Sequence, residues 1–267
     1  MHAPSAQPTF PHTLNGPLLD IFAFPPLAAI LDAAYGVLTG LADLLAPIAG
    51  ASAAAAAVIL ITLLIRALLI PVGISQARAE QTRARLAPKL RQIQKRHKKN
   101  PERMQRETMQ LYKDENTSPF AGFLPVLLQA PVIGILYTLF LRTDIAGHAN
   151  DLLTHDLFGA ALGTSLVRML TTGPFSLPTF VVYGALIAIM IVVAEITRRV
   201  FRPVPVDDSP LSSPGMLRMM SALHYLTAVF AVFVPLAAGL YLTVTVAWTL
   251  VQRVILRRRY PLPVNGG

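Results

Sequence analysis

Long apolar runs separated by short polar stretches set the pattern of this chain. Residues 51–74 are apolar apart from Ser52, Thr62 and one charge, Arg66. At about 1.5 Å per residue, a helix of that length crosses a bilayer. Comparable runs cover residues 119–141, 177–197, 216–233 and 236–256. The last two form a nearly unbroken apolar stretch with basic residues at both ends. Flanks on the same side require an even number of crossings, so the stretch is read as two spans joined by a tight turn near Val234-Pro235. Upstream, Leu27, Ile30, Leu31, Ala34, Leu38, Leu41 and Leu45 recur at helical spacing, while Asp32, Gly36, Thr39 and Asp43 fall on the other side. Two aspartates argue against a span. The pattern predicts an amphipathic helix, lying on the outer interface or packed on its own protein.

Between the first two spans the pattern inverts. Residues 75–116 are polar and strongly basic, and are read as a helical hairpin. Pro88 is expected to kink its first helix. Asn100-Pro101 marks the start of the second, with Asn as N-cap and Pro at the first helical position. The predicted fold is an all-α polytopic membrane protein: five transmembrane helices, a cytoplasmic helical hairpin and an outer amphipathic helix. Residues 1–50 form an outer N-terminal segment, 51–259 the core, and 260–267 a short cytoplasmic tail.

Composition fits this reading. Of 267 residues, 54% are hydrophobic and 14% charged, and mean hydropathy is +0.54, which few soluble domains show. The absence of cysteine excludes disulfides and thiolate metal sites. No phosphate loop, HExxH motif, nucleophile elbow or internal repeat is visible. The 23 Lys and Arg are unevenly placed. Twelve lie between Arg78 and Lys113, four between Arg198 and Arg218, and four between Arg253 and Arg259. The positive-inside rule puts these three clusters in the cytoplasm, giving N-out and C-in. Residues 142–175 then form an outer loop. No Lys or Arg precedes Arg66, so the N-terminus is not read as a cleaved signal peptide.

Arg66 sits about two turns inside its span. Either it snorkels to the interface or it is solvated in a water-filled cavity. Thr62 is one turn away on the same face. Gln129 and Tyr137 share a side of the second span. On the fifth, Tyr241, Thr245, Trp248, Thr249 and Gln252 make a polar and aromatic stripe. Ordinary interhelical hydrogen bonding accounts for each residue singly; three polar faces beside one intramembrane arginine point to a groove. Glu195 is placed to pair with Arg198 or Arg199. The basic hairpin, with Arg91, Lys95, Arg96, Lys98 and Lys99, is a solvated loop, a site for acidic lipid headgroups, or a surface for ribosomal RNA.

Residues 51–259 resemble the YidC-type membrane protein insertases, relatives of the mitochondrial oxidase-assembly and chloroplast Albino proteins. The resemblance rests on Pro88-Lys89, Asn100-Pro101, Leu111-Tyr112-Lys113, Asn116 with Pro119, and Leu124-Pro125 with Gln129 and Pro131. Arg66 matches the family's first-span arginine, and Pro235, Ala238-Gly239 and Trp248 follow in the family's order. What the resemblance implies is a five-helix core with a hydrophilic groove, open to cytoplasm and lipid and closed outside, that inserts nascent membrane proteins into the bacterial inner membrane. It implies a groove lined by Arg66, Thr62, Gln129, Tyr137, Tyr241, Thr245, Trp248 and Gln252. It also implies nascent clients, inserted alone or with a Sec-type translocon, and a ribosome as partner, with no cofactor, no metal, no DNA and no bond-making chemistry. The rival readings are a small-solute or ion transporter, which should show paired intramembrane acids or a repeat, and a ribosome tether, which needs neither Arg66 nor the stripe.

Overall fold

The computed structural model describes residues 25–118, 124–145, 147–201, 219 and 222–261, with backbone alone at 124–129 and 132. The chain is mostly helical. Helix α1, Pro25–Ala49, is longer than the 27–45 predicted from its stripe. Gly50, at φ +54°, ends it in a conformation that side chains resist, and a 3-10 turn over Gly50–Ser52 leads into α2, Ala53–Leu68. The apolar stretch from Pro25 to Leu68 is therefore two helices. They pack on each other. Leu31, Leu38 and Ala42 meet a face of α2 built from Ala54, Ala55, Ala57 and Val58, where small side chains allow close approach.

Helix α3, Ile70–Arg96, follows α2 after one non-helical residue, Leu69. Pro71 explains the break: it has no N–H to donate back to the Ala67 carbonyl. The first predicted span thus contains an interruption that hydropathy does not register. Helix α3 runs on through Pro88. Helix α4, Pro101–Asp114, begins where the sequence placed it, with Asn100 Oδ1 accepting the Arg103 N–H at 3.0 Å. Helices α3 and α4 are cross-linked by Arg85–Glu115 at 2.9 Å, Lys89–Glu115 at 2.5 Å and His97–Glu107 at 2.9 Å. The Lys89 ammonium, with Arg85, holds the Glu115 carboxyl below its usual value. Arg85, Lys89 and Glu107 are exposed, so each pair contributes little singly.

Helix α5, Leu124–Leu141, packs on α1, on α3 and on the last helix. Residues 119–123, expected to open the second span, lie outside the described residues. The loop after α5 holds two small antiparallel hairpins, β1 Asp144–Ile145 with β2 His148–Ala149, and β3 Asp156–Leu157 with β4 Ala160–Ala161. Helix α6, Leu166–Thr171, follows. Then come α7, Leu177–Val200, the six-residue α8, Leu226–Ala231, and α9, Leu236–Arg259. The predicted fourth span begins at residues 216–218, which lie outside the described residues. The turn into α9 falls at Val232–Pro235, where it was expected.

Among the described residues, Pro25–Leu68 taken as one stretch, Leu177–Val200 and Leu236–Arg259 are long and apolar enough to cross a membrane. The main core gathers Ala54, Val58, Leu139, Phe140, Tyr183 and Leu236 from four of these helices.

The end of the bundle nearest the 142–176 loop is closed by hydrogen bonds. Asn150 Nδ2 donates to the Leu139 carbonyl at 2.6 Å and the Arg142 carbonyl at 2.8 Å, serving the last turn of α5. The first N–H groups of α9, at Leu236 and Ala237, donate to the Thr164 and Leu162 carbonyls. The Tyr183 hydroxyl lies 2.7 Å from the Val234 carbonyl and 3.0 Å from that of Thr164. Loop carbonyls and buried side chains thus satisfy groups that a helix terminus otherwise leaves open.

Candidate functional site

Val58, Thr62 and Arg66 are spaced four apart on α2, so they form one row on its inner face. Val58 is buried, and Thr62 is fully buried with its hydroxyl donating to the Val58 carbonyl at 2.6 Å. Arg66, one turn further on, is half-buried. The row runs from closed core to partly open space. Arg66 makes no hydrogen bond or ion pair among the described residues. Glu195 on the apolar helix α7 is taken: it accepts from Arg198 at 2.7 Å, from Arg199, and from the Tyr225 hydroxyl. The pairing with Arg198 and Arg199 follows from helical spacing; Tyr225, 30 residues away, does not.

Helix α9 runs beside α2 and α3 in the same direction. Gln252 packs on Gly73, the Arg78 guanidinium donates to the Tyr260 hydroxyl, and Gln81 donates to the Pro261 carbonyl, all pairs about 180 residues apart. Carried about two turns further up the two helices, this register sets Thr245 about level with Arg66. Thr245 Oγ1 is buried and has no hydrogen-bond partner among the described residues. Most Thr hydroxyls here bond a carbonyl one turn back, as Thr62, Thr138, Thr243 and Thr249 do. An unbonded hydroxyl level with an unpaired arginine marks a polar spot inside an apolar bundle.

The other predicted residues are distributed around it. Tyr241 is buried against Phe140, ring centroids 6.3 Å apart. Trp248 is half-buried, and its Nε1 donates to Gln252 Oε1 at 3.1 Å. Tyr137 on α5 is 38% exposed. The Gln129 side chain lies outside the described residues. Gln252 lines a cleft of about 230 Å³ between α3 and the ends of α7 and α9. Arg66 does not line this cleft. Thr245, Trp248 and Gln252, three and four residues apart, share one side of α9, and α2, which carries Arg66, packs on α9. Packing closes Thr62 and Tyr241 into the core. On the hairpin, Lys95, Arg96, Lys98 and Lys99 are exposed and Arg91 is half-buried.

Sequence reasoning overlooked the closure of the bundle end beside residues 142–176 by Asn150 and Tyr183. It also overlooked Phe201, over which Arg253 and Arg257 stack with centroid distances of 5.1 and 5.0 Å. The i,i+4 spacing of the two arginines was legible; a partner 52 or more residues away was not.

The profile of the 60Kd inner membrane protein family matches residues 45–262, most of the chain. The chain belongs to this family. Relatives named membrane protein insertase YidC include one from Streptomyces avermitilis, 27% identical over 221 residues, which covers 77% of this chain and 51% of that protein. Another, from Zymomonas mobilis, is 30% identical over 208 residues, covering 77% and 34%. A third, from Clostridium perfringens, is 42% identical over 83 residues, 31% and 35%. The chain therefore spans about a third to a half of the length of these curated relatives. In this member of the 60Kd family, the shared region takes in Arg66, the helix pair α3–α4 and the whole of α9.

Proposed function

We propose that the chain is a membrane protein insertase and membrane chaperone of the bacterial inner membrane. It carries five spans, with the N-terminus outside and the C-terminus inside. In this reading α3 and α4 form a cytoplasmic hairpin, and α1 lies along the outer interface. Helix α1 supports that placement. It turns Leu31 and Leu38 to the protein, Ile30, Val37, Leu44 and Ile48 to the surroundings, and Asp32 and Asp43 to a third side.

The observation that carries the function is Arg66: a half-buried cation inside an apolar helix, without an ion pair among the described residues, level with the unbonded Thr245 hydroxyl. Such a group needs water or a passing polar segment. A groove along α2, α5 and α9, lined by Arg66, Gln129, Tyr137, Thr245, Trp248 and Gln252, supplies both. Thr62 and Tyr241 form its floor. The groove lowers the cost of moving a short hydrophilic client segment across the bilayer, and partitioning of the client's apolar helix drives release to lipid. Neither nucleotide nor metal is needed. The basic hairpin receives the ribosome or anionic lipid, and a Sec-type translocon is a further partner for larger clients.

A photo-crosslinker placed at Tyr137, at Thr245 or at lipid-facing Ile189 tests this. Stalled nascent membrane proteins should link to the first two positions and not to Ile189. Equal linking at all three would refute the groove.

A further inference from the structure

A second cleft of about 230 Å³ lies between α7, α8 and α9. Its walls are mainly apolar: Met190, Val193, Ala194, Leu223, Val246 and Leu250. It shares Thr249 and Arg253 with the cleft that Gln252 lines. The two clefts therefore join around α9, one wall apolar and deeper in the bundle, the other polar and one turn nearer the basic end. Leu223, on the rim of the apolar cleft, is 54% exposed, and its neighbours Leu226, Val229 and Phe230 also face outward. In a bilayer this rim meets acyl chains.

The polar cleft carries the charge. Arg253 and Arg257, four apart on α9, both stack over the Phe201 ring, so two like charges are held beside each other. Such a pair at i,i+4 is repulsive. Among the described residues the carboxylate facing them is Glu80, 3.7 Å from Arg253, one negative charge against two positive ones. Arg198 and Arg199, at the same end of α7, already meet Glu195. Gln252, whose Nε2 is buried against Gly73, borders the same cleft. Two guanidiniums held on one ring match the oxygens of a phosphate diester.

We propose that the joined clefts bind one anionic phospholipid, its phosphate between Arg253 and Arg257 and an acyl chain in the apolar cleft beside Leu250. The apolar half decides between lipid and nucleic acid: an RNA phosphate has nothing to place beside Met190 and Val193. The proposal needs the helices to span a bilayer but does not need insertase activity, so loss of lipid binding and loss of client insertion are separate outcomes. The bound lipid would brace α9 against α7.

Native mass spectrometry of the full chain in neutral detergent tests the site. It is titrated with phosphatidylglycerol, with phosphatidylcholine of equal chain length, with short-chain phosphatidylglycerol and with inorganic phosphate. Phosphatidylglycerol should bind at least tenfold more tightly than phosphatidylcholine, and inorganic phosphate should not compete at equal concentration. R253Q/R257Q should abolish the preference, whereas R258Q, which removes a charge outside both clefts, should keep it. Arg253→Lys keeps the charge but loses the planar stack, and should show an intermediate preference even if the double variant misfolds. Leu250→Trp fills the apolar cleft and should weaken long-chain binding severalfold while sparing the short-chain lipid. Equal binding of the two headgroups, an equal effect of R258Q, competition by free phosphate, or no effect of Leu250→Trp would each overturn the proposal.

Discussion

Arg66 offers the sharpest test of the groove, because its charge, its hydrogen bonds and its packing can be separated. Lysine keeps the charge, alanine removes it and glutamate reverses it. The structure sets the magnitude. Arg66 is half-buried, and no partner among the described residues competes for it. A client aspartate at about 4 Å would gain roughly 4 kcal/mol at an effective dielectric near 20. Partial exposure and ionic screening reduce this to about 1 kcal/mol, or about fivefold in rate or yield. The assay is insertion of two matched clients, differing by one aspartate in the translocated segment, into vesicles carrying each variant. Arg66→Lys should keep most of the activity. Arg66→Ala should lower insertion of the acidic client about fivefold relative to the neutral one, and Arg66→Glu should lower it further. Thermal stability should not follow this order, since Glu195 is bonded to Arg198, Arg199 and Tyr225 and not to Arg66. If all variants insert both clients alike, Arg66 only snorkels. An equal loss for both clients would refute the electrostatic role.

Three further outcomes follow from particular contacts. A Cβ on Gly73 would fall 1.9 Å from Gln252 Nε2 and 2.8 Å from its Cδ; Gly73→Ala should cost about 1–3 kcal/mol and shift the emission of Trp248, the single tryptophan, as Gln252→Ala should too. Unchanged emission in either would refute the Gly73–Gln252–Trp248 contact. His148 Nε2 lies 3.0 Å from Asp32 and Nδ1 3.2 Å from the Ala149 carbonyl, so the doubly protonated ring satisfies both and its pKa is raised, first by Asp32 and then by Ala149. That contribution is complete below about pH 6.5 and fades as pH rises through the raised value; amide exchange in α1 should quicken over that window, and Asp32→Asn should flatten the dependence. Neutralising Arg91, Lys95, Arg96, Lys98 and Lys99 together should impair client delivery without moving the melting temperature of the spans, and a wild-type salt dependence of about one log unit per phosphate contact should fall with it; unchanged delivery would leave the hairpin only a topological role.

Much of the architecture was legible in the chain because its determinants are local. Apolar run length and helical period placed α2, α7 and α9. Asn100-Pro101 marked the start of α4, because an N-cap and a proline at the first helical position act within one turn. The stripe of α1 identified its packed face. The polar row on α9 was read from spacing alone. Pro71 was a local signal that hydropathy hid. It broke the first span at Leu69 because a missing N–H costs a backbone hydrogen bond however apolar the neighbours are.

What only the tertiary structure decided depends on residues far apart in sequence. Periodicity gave Thr62 and Tyr241 polar faces, but packing of α2 and α5 against α9 closed both into the core. The parallel register of α9 with α2 and α3 is fixed by contacts about 180 residues apart, and that register brings Thr245 level with Arg66. The stacking of Arg253 and Arg257 on Phe201, the bond from Tyr225 to Glu195, and the bonds of Tyr183 to the Val234 and Thr164 carbonyls have the same origin. A helical repeat states which side of a helix a residue occupies; it carries no information about which other helix will face that side, because that choice is made by the packing of whole surfaces.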